Sequence, residues 1–302
     1  MDVVVTGSSG LIGTALRGRL QQAGHRMVPM VRSPAPGEPD AIAWDPDHGR
    51  IDAGGLEGIG AVVHLAGEGI GAKRWNAPQK ARIKDSRVRG TALLAETLAT
   101  LNRPPKVLLS ASAVGYYGDR GEEVLTESSR AGDGFLADVC VAWEAAAAPA
   151  REAGIRVSHP RTGVVLSAAG GALAKMLTPF RLGLGGRLGS GRQWMSWISI
   201  DDEAGAVVHL LGDDAPAGAV NLTAPNPVTN GDFTAALGRA LRRPAVIPVP
   251  KLALKAGLGG EMAQELLLSS QRALPTRLLD SGYTFVHPEV GDALRAVLSR
   301  PA

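Results

Sequence analysis

The sequence predicts an α/β fold, a doubly wound parallel sheet followed by a smaller, mainly helical C-terminal lobe. Three observations carry that prediction. A short β-branched run, residues 3–5, leads directly into the glycine-rich TGSSGLIG. Strand-like and helical segments then alternate as far as Leu166, and beyond about residue 167 sheet-like runs become sparse while helix candidates continue.

Val3, Val4 and Val5 form a continuous apolar run, the pattern of a parallel strand buried on both faces. From Leu11, the apolar residues Ile12, Ala15, Leu16, Leu20 and Ala23 recur at helical spacing, Gly24 offers a C-terminal stop, and residues 27–31 resume a strand pattern. Together these make a βαβ unit. Further strands are predicted at 61–66, 106–112 and 156–166, with helical composition between them, as at 90–101. RSPAPGEPD, residues 32–40, reads as a surface loop. SAAGGALAKM and LGLGGRLGSG, in a segment of about 167–196, read as mobile stretches beside a substrate cleft, with plain surface turns as the alternative. Helix candidates after Asn221, including 262–270, are expected to build the smaller lobe.

Composition excludes several classes. With 302 residues, 45% hydrophobic and 20% charged, the chain can bury a full core and an appended lobe. No apolar run approaches the ~20 residues that span a bilayer, and the N-terminus lacks the layout of a signal peptide. The single cysteine, Cys140, cannot form an intrachain disulfide, which fits a reducing cytoplasm. A net charge of +3 does not indicate a dedicated nucleic-acid binder. The six histidines show no paired metal-ligand spacing. The expectation is a cytoplasmic protein with a small-molecule partner and no metal, nucleic acid or membrane partner.

Gly7, Gly10 and Gly13 follow a predicted strand and open a predicted helix, the context in which such glycines let a backbone approach a pyrophosphate. The free N–H groups and dipole of a helix N-terminus favour the anion, and Ser8 and Ser9 can add hydroxyl donors. About 20 residues beyond such a motif, an acidic side chain ordinarily meets the ribose of NAD. Here the second strand ends in Val31-Arg32-Ser33. Arginine's fork of donors suits a 2′-phosphate, so NADP is the expected cofactor, with a solvated loop charge as the competing reading of Arg32.

TGSSGLIG, HLAG at 64–67 and SASAVGYYG at 110–118 resemble the extended and atypical short-chain dehydrogenase/reductases. RWNAPQKARIKDSR, PFRLGLGGRLGSG, SWISIDD, NLTAPNPV and GEMAQELLLSSQRALPTRLLDSGYTF narrow the resemblance to nucleoside-diphosphate-sugar-epimerase-related proteins, whose C-terminal segment is a domain of unknown function. The resemblance implies a Rossmann-type NADP domain over 1–222 and a substrate-side lobe over 223–302. It also implies that Gly7, Ser8, Ser9, Gly10, Leu11, Ile12 and Gly13 hold the cofactor, with Leu65, Ala66, Gly67 and Glu68 lining it. Ser110 and Ala111 would pass the nicotinamide, Pro160, Thr162 and Val164 would flank it, Arg87 would stand where relatives carry an asparagine, and Ser112 matches the catalytic serine.

The superfamily's proton-transferring tyrosine has a lysine four residues later, because a phenol with a pKa of about 10 needs a nearby cation to ionise near neutrality. Tyr116, Tyr117 and Tyr283 are followed at that spacing by Arg120, Gly121 and His287, so no Tyr-x-x-x-Lys exists. With Glu144 aligned to the usual acidic position, Leu136 and Cys140 stand where tyrosine and lysine belong. The candidate replacements are Tyr116 or Tyr117 beside Ser112, with Arg87 or a lysine supplying the positive field; loop packing is the alternative for both tyrosines. KRWNAPQKARIKDSRVRG carries seven basic residues and one acid, and a helix would put Lys80, Lys84 and Arg87 on one face, to receive a phosphate or simply to meet solvent. Trp194, Trp197 and Ser199 border either a cleft or a core. The favoured function is an NADP-dependent oxidoreductase or epimerase-like enzyme on a small molecule, with phosphorylated and nucleotide-linked compounds the candidate classes. The alternative is an NADP-binding regulatory or scaffold protein without turnover.

Overall fold

The computed structural model describes residues 1–34 and 40–299. The chain divides into two compact, interleaved units. The first comprises Met1–Ser112, Val139–Pro160 and Ala204–Val220; the second comprises Ala113–Asp138, Arg161–Glu203 and the chain from Asn221 onward.

The first unit is the predicted sheet. Its opening elements are β1 (Asp2–Thr6), α1 (Leu11–Gln22), β2 (Arg26–Val31), β3 (Ile42–Asp45), β4 (Arg50–Ile51), β5 (Ala61–His64), α2 (Ala77–Ala99) and β6 (Val107–Ser110). The strand order across the sheet is Gly218–Leu222, Arg156–Thr162, β6, β5, β1, β2, β3, β4. β1 pairs in parallel with β2 on one side and β5 on the other, so the winding reverses between β1 and β5. In sheets of this class, ligands bind beyond the carboxyl ends of the strands at that reversal. The Rossmann-like architecture is therefore present. Val3, Val4 and Val5 are fully buried, as their unbroken apolar run requires. Val4, Val28, Val62, Leu94, Leu98, Leu108 and Val157 share one core.

Several boundaries differ from the pattern reading. β5 stops at His64 rather than residue 66, and β6 at Ser110 rather than 112. The helix expected at 90–101 begins at Ala77, where the Asn76 side chain accepts the Gln79 N–H at 2.9 Å. Its first turns are too charged to show an apolar stripe. The strand expected at 156–166 breaks at Gly163, where a Cβ would come within 2.5 Å of the Ser196 carbonyl oxygen. Residues 32–34 lie in exposed chain after β2, and 35–39 of the predicted loop fall outside the described residues.

The second unit pairs Val164–Leu166 in parallel with Trp197–Ser199, and Arg272–Ala273 with Val124–Leu125. Its helices include Gly171–Arg181, Asn230–Leu241, Lys251–Leu258 and Val290–Leu298, which make the C-terminal part helical. The glycine-rich SAAGGALAKM, read as a mobile cleft segment, instead enters helix Gly171–Arg181, which buries Leu173, Leu177 and Phe180 at i, i+4 and i+7. The helix expected at 262–270 forms only as Gly260–Ala263, followed by a π-turn through Gln264–Leu268. No helix among the described residues is long and apolar enough to cross a membrane.

Candidate functional site

The glycine turn sits at the carboxyl end of β1. Gly7 has φ of +66°, and a Cβ there would lie 3.0 Å from the Leu65 carbonyl carbon and 3.1 Å from the Ala66 nitrogen. Gly13 tolerates no side chain, since its Cβ would fall 2.4 Å from the Gly7 oxygen. Gly10 donates its N–H to that oxygen at 2.9 Å and stands at the N-cap of α1 without a side-chain cap, and the first turn contains no acid. An uncapped, acid-free N-terminus on a backbone turn is a site prepared for an anion. Ser8 is buried and Ser9 exposed beside it, while Leu11 and Ile12 are half-buried.

Register across three strands places Thr6 opposite His64 and His64 opposite Ser110. Thr6 Oγ1 accepts the N–H groups of Leu65 and Ala66 at 3.0 and 3.1 Å and lies 2.7 Å from His64 Nδ1. With both lone pairs engaged, the hydroxyl proton goes to Nδ1, so the network assigns His64 as the Nε2–H tautomer. Burial pushes the His64 pKa down to about 4, helped by the Arg87 charge, so the ring is neutral at physiological pH. Nε2 has no hydrogen-bond partner among the described residues, and the ring meets Trp44 edge-on. Ser110 Oγ is likewise buried and unpartnered among the described residues. Sequence reasoning assigned Thr6 and His64 no role; the histidine of HLAG was the available signal.

Beyond β5, the chain turns through Gly67 and Glu68. Arg87 Nη1 donates to the Glu68 and Ile83 carbonyls at 2.9 and 3.0 Å, and its guanidinium lies 5.0 Å from the Trp143 ring centroid. Gly67 packs directly beneath this guanidinium, since a Cβ there would come 3.1 Å from Arg87 Cζ and Arg87 would have to shift to admit it. Arg87 therefore braces the 67–68 turn. It is thus not available to act with Lys80 and Lys84 as one phosphate-receiving face, although the predicted helix exists. Ser112 is buried and donates to Glu144 Oε1 at 2.7 Å, a pairing across 32 positions that spacing could not show. Cys140, on the same helix Phe135–Ala145, is buried, consistent with a small packed hydrophobe. Ala111 is half-buried and Pro160 buried. Arg32 and Ser33 are exposed at the end of β2, with Arg32 3.5 Å from Asp47 in an open ion pair.

In the second unit, Tyr117 closes the short helical turn Val114–Tyr117. It is fully buried, donates to Asn221 Oδ1 at 2.7 Å and accepts from Arg161 Nη1 at 3.1 Å, and burial raises its phenol above the usual range. A hydroxyl so enclosed ties Asn221 to Arg161, which favours the loop-packing alternative for Tyr117. Tyr116 is half-buried beneath the buried Arg161, whose guanidinium carbon stands 3.4 Å from the ring centroid. Thr162 donates to Glu203 Oε1 at 2.9 Å. Glu203 is buried, its Oε2 has no partner among the described residues, and burial pushes its pKa up to about 8. Val164 sits in the short strand beside Trp197. Trp197 and Ser199 belong to the core, Ser199 bonding Asp202 at 2.7 Å, so neither borders a cleft. Among the described residues no group of three His, Cys, Asp or Glu could hold a metal ion.

A family model described as the NAD dependent epimerase/dehydratase family matches residues 3–222. The chain belongs to that family. A second model, a domain of unknown function named DUF1731, matches residues 249–297 of this epimerase-family chain. Epimerase family protein Mb2239 of Mycobacterium bovis is 45% identical over 299 residues, covering 99% of this chain and 98% of the relative. The crystal structure of human epimerase family protein SDR39U1 (isoform 2) with NADPH has a TM-score of 0.90 at 38% identity, covering 98% of this chain and 99% of that one. The UDP-glucose 4-epimerase of Thermus thermophilus, in complex with NAD, has a TM-score of 0.76 at 18% identity over 99% of this chain and 98% of its own, a likeness of fold alone. The resemblance drawn from the glycine turn, HLAG and SASAVGYYG is thus confirmed at family level.

Proposed function

We propose that this epimerase-family protein binds NADP(H) at the carboxyl edge of its sheet and acts as an oxidoreductase or epimerase-like enzyme on a small phosphorylated or nucleotide-linked molecule. One observation carries the reading: an uncapped glycine turn, held against Leu65 and Ala66, stands where the strand order reverses. Residues 7–13 would hold the pyrophosphate, Leu65 to Glu68 the adjoining ribose, and Arg32 with Ser33 a 2′-phosphate. The solved human relative with NADPH supports NADP over NAD. A bound nicotinamide supplies hydride exchange with a substrate carbon. The unpartnered Ser110 hydroxyl, followed directly by Ala111, suits an orienting hydrogen bond there, and Pro160 would flank the same end of the cofactor. Ser112 gives its own proton to Glu144, which leaves its oxygen to accept from a substrate hydroxyl. Tyr116 is the remaining candidate for proton transfer.

The buried lone cysteine supports a reducing, cytoplasmic setting, and the charge balance supports a small-molecule partner over nucleic acid. The regulatory or scaffold reading is favoured by the absence of any Tyr-x-x-x-Lys from the sequence, with the Tyr117 hydroxyl enclosed by Asn221 and Arg161. Fluorescence titration with NADPH and NADH tests the binding claim. NADPH is expected to bind more tightly, with the preference lost in Arg32→Ala; equal affinities in the wild type would remove Arg32 from the phosphate role. Hydride transfer to sugar-nucleotide and sugar-phosphate carbonyls from bound NADPH separates enzyme from scaffold.

A further inference from the structure

Helix Lys251–Leu258 reads KLALKAGL and buries no residue at all. A helix of that composition normally covers its apolar stripe with the core. Here Leu252 is 80% exposed, and the preceding segment exposes Val246 at 79% and Ile247 at 46%. A second segment runs alongside: Ile247 and Val249 donate their N–H groups to the carbonyls of Gly185 and Arg187 at 3.2 and 2.9 Å, and Gly189 donates to Val249 at 2.9 Å. That segment exposes Leu182 at 69% and Leu184 at 56%. Scattered exposed leucines are ordinary, whereas several on adjoining segments mark a surface meant to be covered.

Charge says what covers it. Residues 167–200 and 233–260 contain lysine and arginine but no aspartate or glutamate. Arg181, Arg187, Lys251 and Lys255 are exposed, and none is paired with a carboxylate among the described residues. A second copy is a poor occupant, because a two-fold contact sets the same patch against itself and would oppose cation to cation with no acid in either segment. An apolar surface with lysines and arginines at its rim fits instead the anionic face of a lipid bilayer, where leucines enter the headgroup boundary and cations meet lipid phosphates.

We infer that the surface formed by residues 182–188 and 246–255 docks this protein peripherally on anionic membranes. This revises the expectation of no membrane partner, which rested on the lack of a spanning segment; a surface-lying helix needs no such length. It is independent of the cofactor reading.

Co-sedimentation of the full chain with vesicles of phosphatidylcholine alone, or of phosphatidylcholine mixed with phosphatidylglycerol, tests it. The protein is expected to pellet with the mixed vesicles, to be released by raised salt, and to remain in solution with phosphatidylcholine alone. Partitioning should fall about fivefold for each of Lys251→Gln and Lys255→Gln, and also in Leu252→Ser. Because the helix is exposed, these variants should keep the wild-type melting temperature and circular-dichroism spectrum, which report the intact fold. Failure to pellet with the mixed vesicles overturns the inference. So does loss in the lysine variants with none in Leu252→Ser, which is adsorption to any polyanion, or a concentration-dependent dimer abolished by Leu252→Ser, which makes a second copy the occupant.

Discussion

Thr6→Val replaces a fully buried hydroxyl with a methyl group of nearly the same shape, so its effect isolates hydrogen bonding from packing. Three contacts are lost: the donation to His64 Nδ1 and the acceptances from Leu65 and Ala66. Leu65 keeps a 3.3 Å contact to the Thr6 carbonyl, while Ala66 N–H and His64 Nδ1 are left without these partners. A buried polar group stranded in this way costs about 1–3 kcal/mol, and Ala66 is only half-buried, so the sum is about 2–4 kcal/mol. Against a typical total of about 5–15 kcal/mol that is a severe loss. Urea denaturation at neutral pH should show a lowered midpoint with an unchanged slope. Thr6→Ser, which keeps the hydroxyl and loses one methyl, should cost only about 1 kcal/mol. NADPH affinity should also fall in Thr6→Val, because the loop that Thr6 holds is the wall against which Gly7 turns. A loss below about 0.5 kcal/mol in Thr6→Val would show that the threonine is not the hub of this edge, and the tautomer assigned to His64 would fall with it.

Glu203 is protonated in the fold up to a pKa of about 8 but ionises at its ordinary 4.5 when unfolded, so stability should decline as pH rises through that interval. Unfolded His64, with its ordinary pKa of 6.5, contributes an opposing slope that has largely faded above about pH 7, so between about pH 7 and 8 the decline is chiefly that of Glu203 and stays below about 1.4 kcal/mol per pH unit. Glu203→Gln should flatten it in melts taken across about pH 7 to 8; an unchanged slope would mean that the carboxyl is not held neutral. Tyr117→Phe removes a hydroxyl bonded to Asn221 and to a buried guanidinium, and should destabilise by about 1.5–3 kcal/mol in the same denaturation assay. If its stability matched the wild type, the core role given to Tyr117 would be wrong.

The parts of this protein legible from sequence are those set by near neighbours along the chain. Valine after valine fixes a strand with two buried faces. Three glycines within seven positions fix a turn: Gly7 takes a positive φ, a Cβ on Gly13 would strike the turn itself, and one on Gly10 would crowd the Gly7 oxygen. The absent Tyr-x-x-x-Lys is equally local, a matter of one helical turn. What remained hidden depends on partners far off in the chain. Thr6, His64 and Ser110 form a row because parallel strands in register bring them together. Ser112 meets Glu144 only when strand and helix pack. Tyr116 and Tyr117 are adjacent and chemically identical, and only the burial of the second, with its hydroxyl bonded to Asn221 and Arg161, separates them. The bare helix KLALKAGL carries the same apolar spacing as a buried one. Periodicity records which side of an element is apolar, whereas whether that side meets core, cofactor or membrane is decided by the surfaces that the rest of the chain brings against it.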